Sequence, residues 1–185
     1  MCAVFLACTP GQLQAADPSW LMDPITGPNL SYKTFYSATA GTNVSYVLFQ
    51  PPGYDTELSR RYPVVYWLHG VGGAQTGVPT MAQRLIDAIN ADKTPPMLFV
   101  FVNGMVNSFY NNDIYPVETV SITELIPHID ATYRTIATRA GRMVEGFSMG
   151  GNGAGYWGFK YTELFGSVSI LAGASLSGAP TAQIN

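Results

Sequence analysis

At 185 residues the chain is long enough to bury a core as one domain, and with 47% hydrophobic against 11% charged residues it is no disordered tract. A net charge of −3 without any basic run removes the electrostatic case for nucleic acid. Both cysteines, Cys2 and Cys8, lie within the first eight residues, so the body carries no disulfide framework and no thiolate metal site.

In chain order, MCAVFLACTPGQLQAADPSW comes first: a short apolar run followed by small residues around Ala15 and Ala16. This is the layout of a secretory leader whose basic start is missing. FLAC also fits a degenerate lipoprotein box ending at Cys8. The expectation is a leader over residues 1–16, one domain over 17–185, and a secreted or periplasmic protein, with Cys8 as the site of any lipid anchor. A start codon placed inside a longer leader, or a disordered N-terminus, would leave the same pattern. The run is too short to span a bilayer.

SYKTFYSA (31–38) and NVSYVLFQP (43–51) alternate as strands around TAGT and predict a hairpin-like pair. PPGYD (51–55) is a turn, and RYPVVYWLHG (61–70) is a β-branched and aromatic strand ending in a glycine loop. Met81, Leu85 and Ile89 recur at helical spacing over 80–92. PPMLFVFVNG (95–104) is a continuous apolar run, as a strand covered on both faces requires. After the polar-aromatic loop NSFYNNDIYPVE, a helix is expected from about Glu118 to Tyr133, with Pro127 kinking or splitting it. GRMVEGFS (141–148) is a strand, MGGNGAGYWGFKY a glycine-rich helix, and FGSVSILAGA (165–174) a further strand. Strand and helix in alternation predict an α/β fold with a mostly parallel sheet and helices on both faces.

One stretch carries chemistry. Gly146-Phe147-Ser148-Met149-Gly150 fits G-x-S-x-G between a strand and a helix, the context of a nucleophile elbow. On so tight a turn a side chain at either flanking glycine, or at Gly151, would strike the neighbouring strand and helix. The free N–H groups at the start of the following helix suit an oxyanion. A second element, LHGVGG (68–73), closes the third strand with Gly70 and Gly72. A loop at this position supplies the other oxyanion donor in such folds, so the expected pair is the backbone N–H of Val71 and of Met149.

Taken together, PPGYD, RYPVVYWLHGVGG, FVNG, VETVSITELIPHIDATYRT and GFSMGGNGAGYWGFKYTELFGSVSILAGA resemble the esterase D-like family of α/β hydrolases, over about Tyr32 to Ala174. That family includes feruloyl and acetylxylan esterases, S-formylglutathione hydrolases and mycolyltransferases. The resemblance implies the α/β-hydrolase fold and serine hydrolysis of a small-molecule or polysaccharide-linked ester through an acyl-enzyme, with no metal and no organic cofactor. The leader and HGVGG lean toward the feruloyl and carbohydrate-esterase branch.

The family order places an acid and then a histidine after the serine. Here the 37 residues after Ser148 contain neither Asp nor His, and Glu163 is their only acid. The fold is therefore expected to be incomplete at the C-terminus, with the acid and base of the triad absent from the chain. His69 corresponds to a loop-shaping histidine in the family, though its strand should end near the elbow, which makes it the better of two poor substitutes. His128 and Asp130 stand two apart on one helix and point away from each other. Phe109 and Tyr110, in the loop after the fourth strand, are expected to contact substrate. GAGYWG (153–158) spells a dinucleotide fingerprint but lies inside a helix, which excludes that use. The rival to an esterase is a non-catalytic glycan-binding module on the same fold.

Overall fold

A computed structural model describes residues 20–73, 75 and 77–173. The leader, both cysteines and the residues beyond Gly173 lie outside that range. Six strands form one mixed sheet in the order β1-β2-β4-β3-β5-β6. They are β1 (Leu30–Ser37), β2 (Thr42–Phe49), β3 (Val64–Leu68), β4 (Leu98–Val102), β5 (Arg142–Phe147) and β6 (Ser167–Leu171). The hairpin expected at the start is present: β1 and β2 pair antiparallel from Leu30 opposite Phe49 to Ser37 opposite Thr42. β2 then joins β4 antiparallel, while β4, β3, β5 and β6 run parallel.

Period-two alternation sorts the side chains into two cores. Tyr46, Leu48, Val64, Tyr66, Leu68, Leu98, Val100 and Val144 face one layer. Val47, Phe49, Val65, Phe99 and Phe101 face the other. Every residue of β4 is buried, which explains its unbroken apolar sequence.

The second layer is covered by α1 (Val78–Asn90), which buries Val78, Ala82 and Ile89 and carries proline in its first turn, where a missing N–H costs nothing. The first layer is covered by a continuous helix and by α4 (Met149–Lys160), whose Ala154 and Trp157 enter the core. The continuous helix comprises α2 (Val117–Thr119), a π-helical stretch Val120–Leu125, and α3 (Ile126–Thr132). Pro127 was expected to kink or split it. The chain stays helical to Thr132, but regular α winding is interrupted over Val120–Leu125 and resumes in α3 with Pro127 in its first turn. In an α-helix the proline ring would strike the carbonyl four residues back, and local π winding relieves such a clash.

Two ion pairs tie this helix down. Glu118 receives Lys160 Nζ at 2.7 Å and the Tyr161 hydroxyl at 2.6 Å. Asp130 receives Arg142 at 2.5 Å and Thr135 at 2.7 Å. The strand expected over 61–70 is shorter than its apolar run. Tyr62 forms only an isolated bridge to Thr135, and Pro63 cannot donate to a ladder.

Candidate active site

At the C-terminal edge of the parallel strands, the chain leaves β5 and enters α4 through a single residue, Ser148. Its backbone sits at φ 55° and ψ −115°, a left-handed conformation that costs a non-glycine residue about 1–3 kcal/mol. Among the described residues the hydroxyl makes no cap bond to the helix and no bond to another side chain. The Ser148 amide donates to the Leu171 carbonyl at 2.9 Å, pinning the turn to the end of β6.

The flanking glycines are dictated by contact. A Cβ on Gly146 would lie 1.9 Å from the Gly150 carbonyl oxygen, and one on Gly150 would lie 2.0 Å from that of Leu68. One on Gly151 would come within 2.9 Å of the backbone at Gly173. These glycines let α4 start in direct contact with the ends of β3 and β6. The first intrahelical bond runs from Asn152 N–H to the Ser148 carbonyl at 3.1 Å, so the amides of Met149, Gly150 and Gly151 precede it and carry the positive end of the helix.

The loop after β3 lies beside this turn. A Cβ on Gly70 would be 3.4 Å from Ser148 Cβ, which places Val71 one residue further along the same rim. Val71 is exposed at the surface. Gly72 and Gly73 take φ values of 98° and 68°, and Gly72 donates to the Val106 carbonyl at 2.8 Å in the loop after β4. Val71 thus follows a glycine that lies against Ser148, and Met149 follows the serine directly at the start of α4.

His69 is not arranged as a base. It is 1% exposed, its Nδ1 contacts the Gly70 carbonyl at 2.8 Å, and its Nε2 accepts the Gly104 amide at 3.1 Å. That pattern requires a neutral ring with the proton on Nδ1. Burial pushes its pKa down, with the Gly70 carbonyl pulling partly the other way. Both nitrogens are consumed, Nδ1 within the β3 loop and Nε2 in joining that loop to the β4 loop.

His128 is farther away. It stacks on Phe35 of β1 at 5.1 Å and contacts the Tyr46 hydroxyl of β2 at 3.1 Å. β2 is three strand spacings from β5, roughly 14 Å. Glu145 pairs with β6, where Ser169 Oγ reaches its carboxylate only at 3.5 Å, and burial raises its pKa. Among the described residues, no histidine or carboxylate is bonded to Ser148.

Of the two loop aromatics expected to meet a substrate, Phe109 is 41% exposed. Tyr110 is not available: its ring is fully buried, its hydroxyl donates to the His69 carbonyl at 3.2 Å, and its own carbonyl receives Trp157 Nε1 at 2.7 Å. It is part of the wall behind the site. The sequence signal for this lay in glycines given no role there. A Cβ on Gly104 would lie 2.2 Å from the Tyr110 ring, and one on Gly153 2.7 Å from it. Trp157 and Ser108, which complete the wall, carried no signal beyond their composition. Residues 153–158 sit within α4 with Gly153 and Gly155 buried, so no phosphate could approach those two. No group of metal-binding side chains occurs among the described residues.

Residues 37–183 match the family described as Putative esterase. An esterase of Mycobacterium tuberculosis is 36% identical over 152 residues, covering 79% of this chain and 32% of that protein. An endo-1,4-beta-xylanase/feruloyl esterase of Xylanibacter ruminicola is 32% identical over 158 residues, covering 80% of this chain and 22% of that protein. A solved ferulic acid esterase superposes with a TM-score of 0.66 at 26% identity, covering 74% of this chain and 55% of that one. The chain spans about a third or less of the curated relatives it matches.

Proposed function

Because the chain belongs to the Putative esterase family and has the α/β-hydrolase fold, we propose that it is the nucleophile-bearing part of a serine carboxylic-ester hydrolase of the feruloyl or acetylxylan type. The observation that carries this is Ser148 held at φ 55° on the N-terminus of α4, its hydroxyl uncommitted, between the Met149 amide and the loop of Val71.

In this mechanism Ser148 Oγ attacks the ester carbonyl and the carbonyl oxygen becomes an oxyanion held by the Val71 and Met149 amides. The hydroxyl proton passes to a base and then to the departing alcohol, leaving the acyl group on Ser148. Water repeats the sequence and releases the acid. Phe109 offers its exposed ring to an aromatic acyl group. That assignment draws support from a relative named a feruloyl esterase and a neighbouring structure named a ferulic acid esterase. The Ser148, Val71 and Met149 roles need neither a metal nor an organic cofactor.

The base and its acid are supplied from outside these 185 residues, because His69 and His128 are both committed elsewhere. The protein works outside the cytoplasm, as the layout of residues 1–16 suggests. No helix among the described residues is long and apolar enough to cross a membrane. Family relatives of other specificity, S-formylglutathione hydrolases and acyltransferases, define the substrate alternatives to a feruloyl or acetylxylan ester.

The test is hydrolysis of aryl acetates and methyl ferulate by residues 17–185, compared with Ser148→Ala. A small rate that disappears in the alanine variant is expected, far below that of a complete triad, because Ser148 attacks without a base to take its proton. Turnover at ordinary esterase rates would overturn the external base. The absence of a bonded base favours one other reading, a glycan-binding module without chemistry. It predicts identical hydrolysis in the two proteins, together with saturable binding of xylan fragments.

A further inference from the structure

The loop that follows β4 is wound against its own preferences. Met105, Phe109 and Tyr110 take φ values of 57°, 52° and 58°, so three residues with long side chains occupy a region that favours glycine. Backbone in such conformations persists only where its surroundings over-determine it, and Tyr110 is where they do. Its amide donates to Ser108 Oγ at 3.0 Å, and Ser108 Oγ in turn donates to the Gly104 carbonyl at 2.5 Å.

Each remaining handle of Tyr110 reaches a different part of the site. The hydroxyl donates to the His69 carbonyl, one residue before the oxyanion loop. The backbone carbonyl is held by Trp157 Nε1 on α4. The ring packs edge-on with His69 at 5.8 Å and Trp157 at 5.6 Å, and it fills the spaces left by Gly104 and Gly153. The β3 loop, the β4 loop and the nucleophile helix therefore meet on one side chain.

We infer that Tyr110 is a positioning residue that fixes the oxyanion loop relative to α4 through its hydroxyl on the His69 carbonyl and its carbonyl on Trp157. The Met149 amide belongs to α4, whereas the Val71 amide belongs to a loop held, among the described residues, by His69 to Gly104, Gly72 to Val106 and Gln75 to Val102. All three lead to the end of β4 or the loop after it, and that loop is itself anchored to α4 at Tyr110. Without that anchor the two donors lose their common frame. The catalytic consequence rests on the assignment of Ser148 as nucleophile, but the mechanical one does not.

The experiment is amide hydrogen exchange on the whole chain, wild type against Tyr110→Phe, which removes one oxygen and keeps the ring. The hydrogen-bonded amides of Gly72 and Gly104 should exchange about fivefold faster, the ratio that one net hydrogen bond sustains. The amides of β3, β4 and the middle of α4 should be unchanged. Gly153→Ala, which pushes a methyl group into the Tyr110 ring, should loosen the same two loops.

Unchanged exchange at Gly72 and Gly104 in both variants overturns the inference whatever the activity shows. So does acceleration spread evenly over the sheet, which would mark a general packing role. In parallel, Ser148-dependent aryl acetate hydrolysis should fall in Tyr110→Phe through kcat with KM unchanged. If wild type and Ser148→Ala hydrolyse equally, the esterase assignment fails while the exchange result still decides the role of Tyr110.

Discussion

Replacing Ser148 with glycine should make the protein more stable while removing its proposed nucleophile. Ser148 holds φ 55° and ψ −115°, and its hydroxyl does not cap α4, so substitution forfeits no cap bond. Relief of the strained backbone is worth about 1–3 kcal/mol. Against it stands the extra freedom that glycine gives the unfolded chain, about 0.4–1 kcal/mol. The balance is a gain of about 1 kcal/mol, or roughly 2–4 °C in Tm for a chain of this size. Ser148→Ala is the matched control, since alanine keeps the Cβ and therefore the strain. Thermal and urea unfolding of the three proteins, side by side, should place glycine above serine and alanine, with the latter two nearly equal. A glycine variant no more stable than the alanine variant would refute the claim that the turn stores strain at Ser148.

Gly150→Ala should act in the opposite direction. Its Cβ would arrive 2.0 Å from the Leu68 carbonyl oxygen and 2.7 Å from that of His69, forcing α4 and the end of β3 apart by about an ångström. Stability should fall by about 1–3 kcal/mol, and any Ser148-dependent hydrolysis by about a hundredfold; an unchanged rate would contradict the contact argument. Acidification supplies a further test. Burial lowers the pKa of both His69 and His128, so below the ordinary value of about 6.5 the unfolded chain binds protons that the folded chain refuses. The stability contributed by these histidines is present above that value and is lost as the pH falls through their folded values. Burial also raises the Glu145 pKa, and its contribution has the opposite sign: present below the ordinary value for Glu and lost as the pH rises through the folded one. The urea midpoint should drop between about pH 7 and pH 5, with a shallower slope in His128→Gln; a flat profile would contradict the neutral, backbone-clamped His69.

The elements were legible in the sequence because their signals are local. The buried run of β4, the alternation of β1 and β2, and the strand-serine-helix context of β5 and α4 each follow from side chains within a few residues. The elbow glycines were legible for the same reason, since their constraint is a turn. What was not legible depends on chain segments far apart. The burial of Tyr110 follows from contacts with residues 41 positions before it and 47 after it. Flanked by Asn111, Asn112 and Ser108, it reads as an exposed loop aromatic. Pro127 signalled a disturbance of the helix but not its form, a π-helical stretch placed before the proline. His69 was the subtler case. Its place at a strand end near the elbow suggested reach, yet the partners that occupy both its nitrogens are backbone groups, which carry no sequence signature.

The most direct test of the central claim is to expose residues 17–185 to an aryl acetate, stop the reaction in acid, and map the acetyl group by peptide mass spectrometry. A single adduct on Ser148, formed slowly, absent in Ser148→Ala and indifferent to substitution of His128, is the predicted result. Acetylation scattered over lysines and tyrosines with Ser148 unmodified would contradict it.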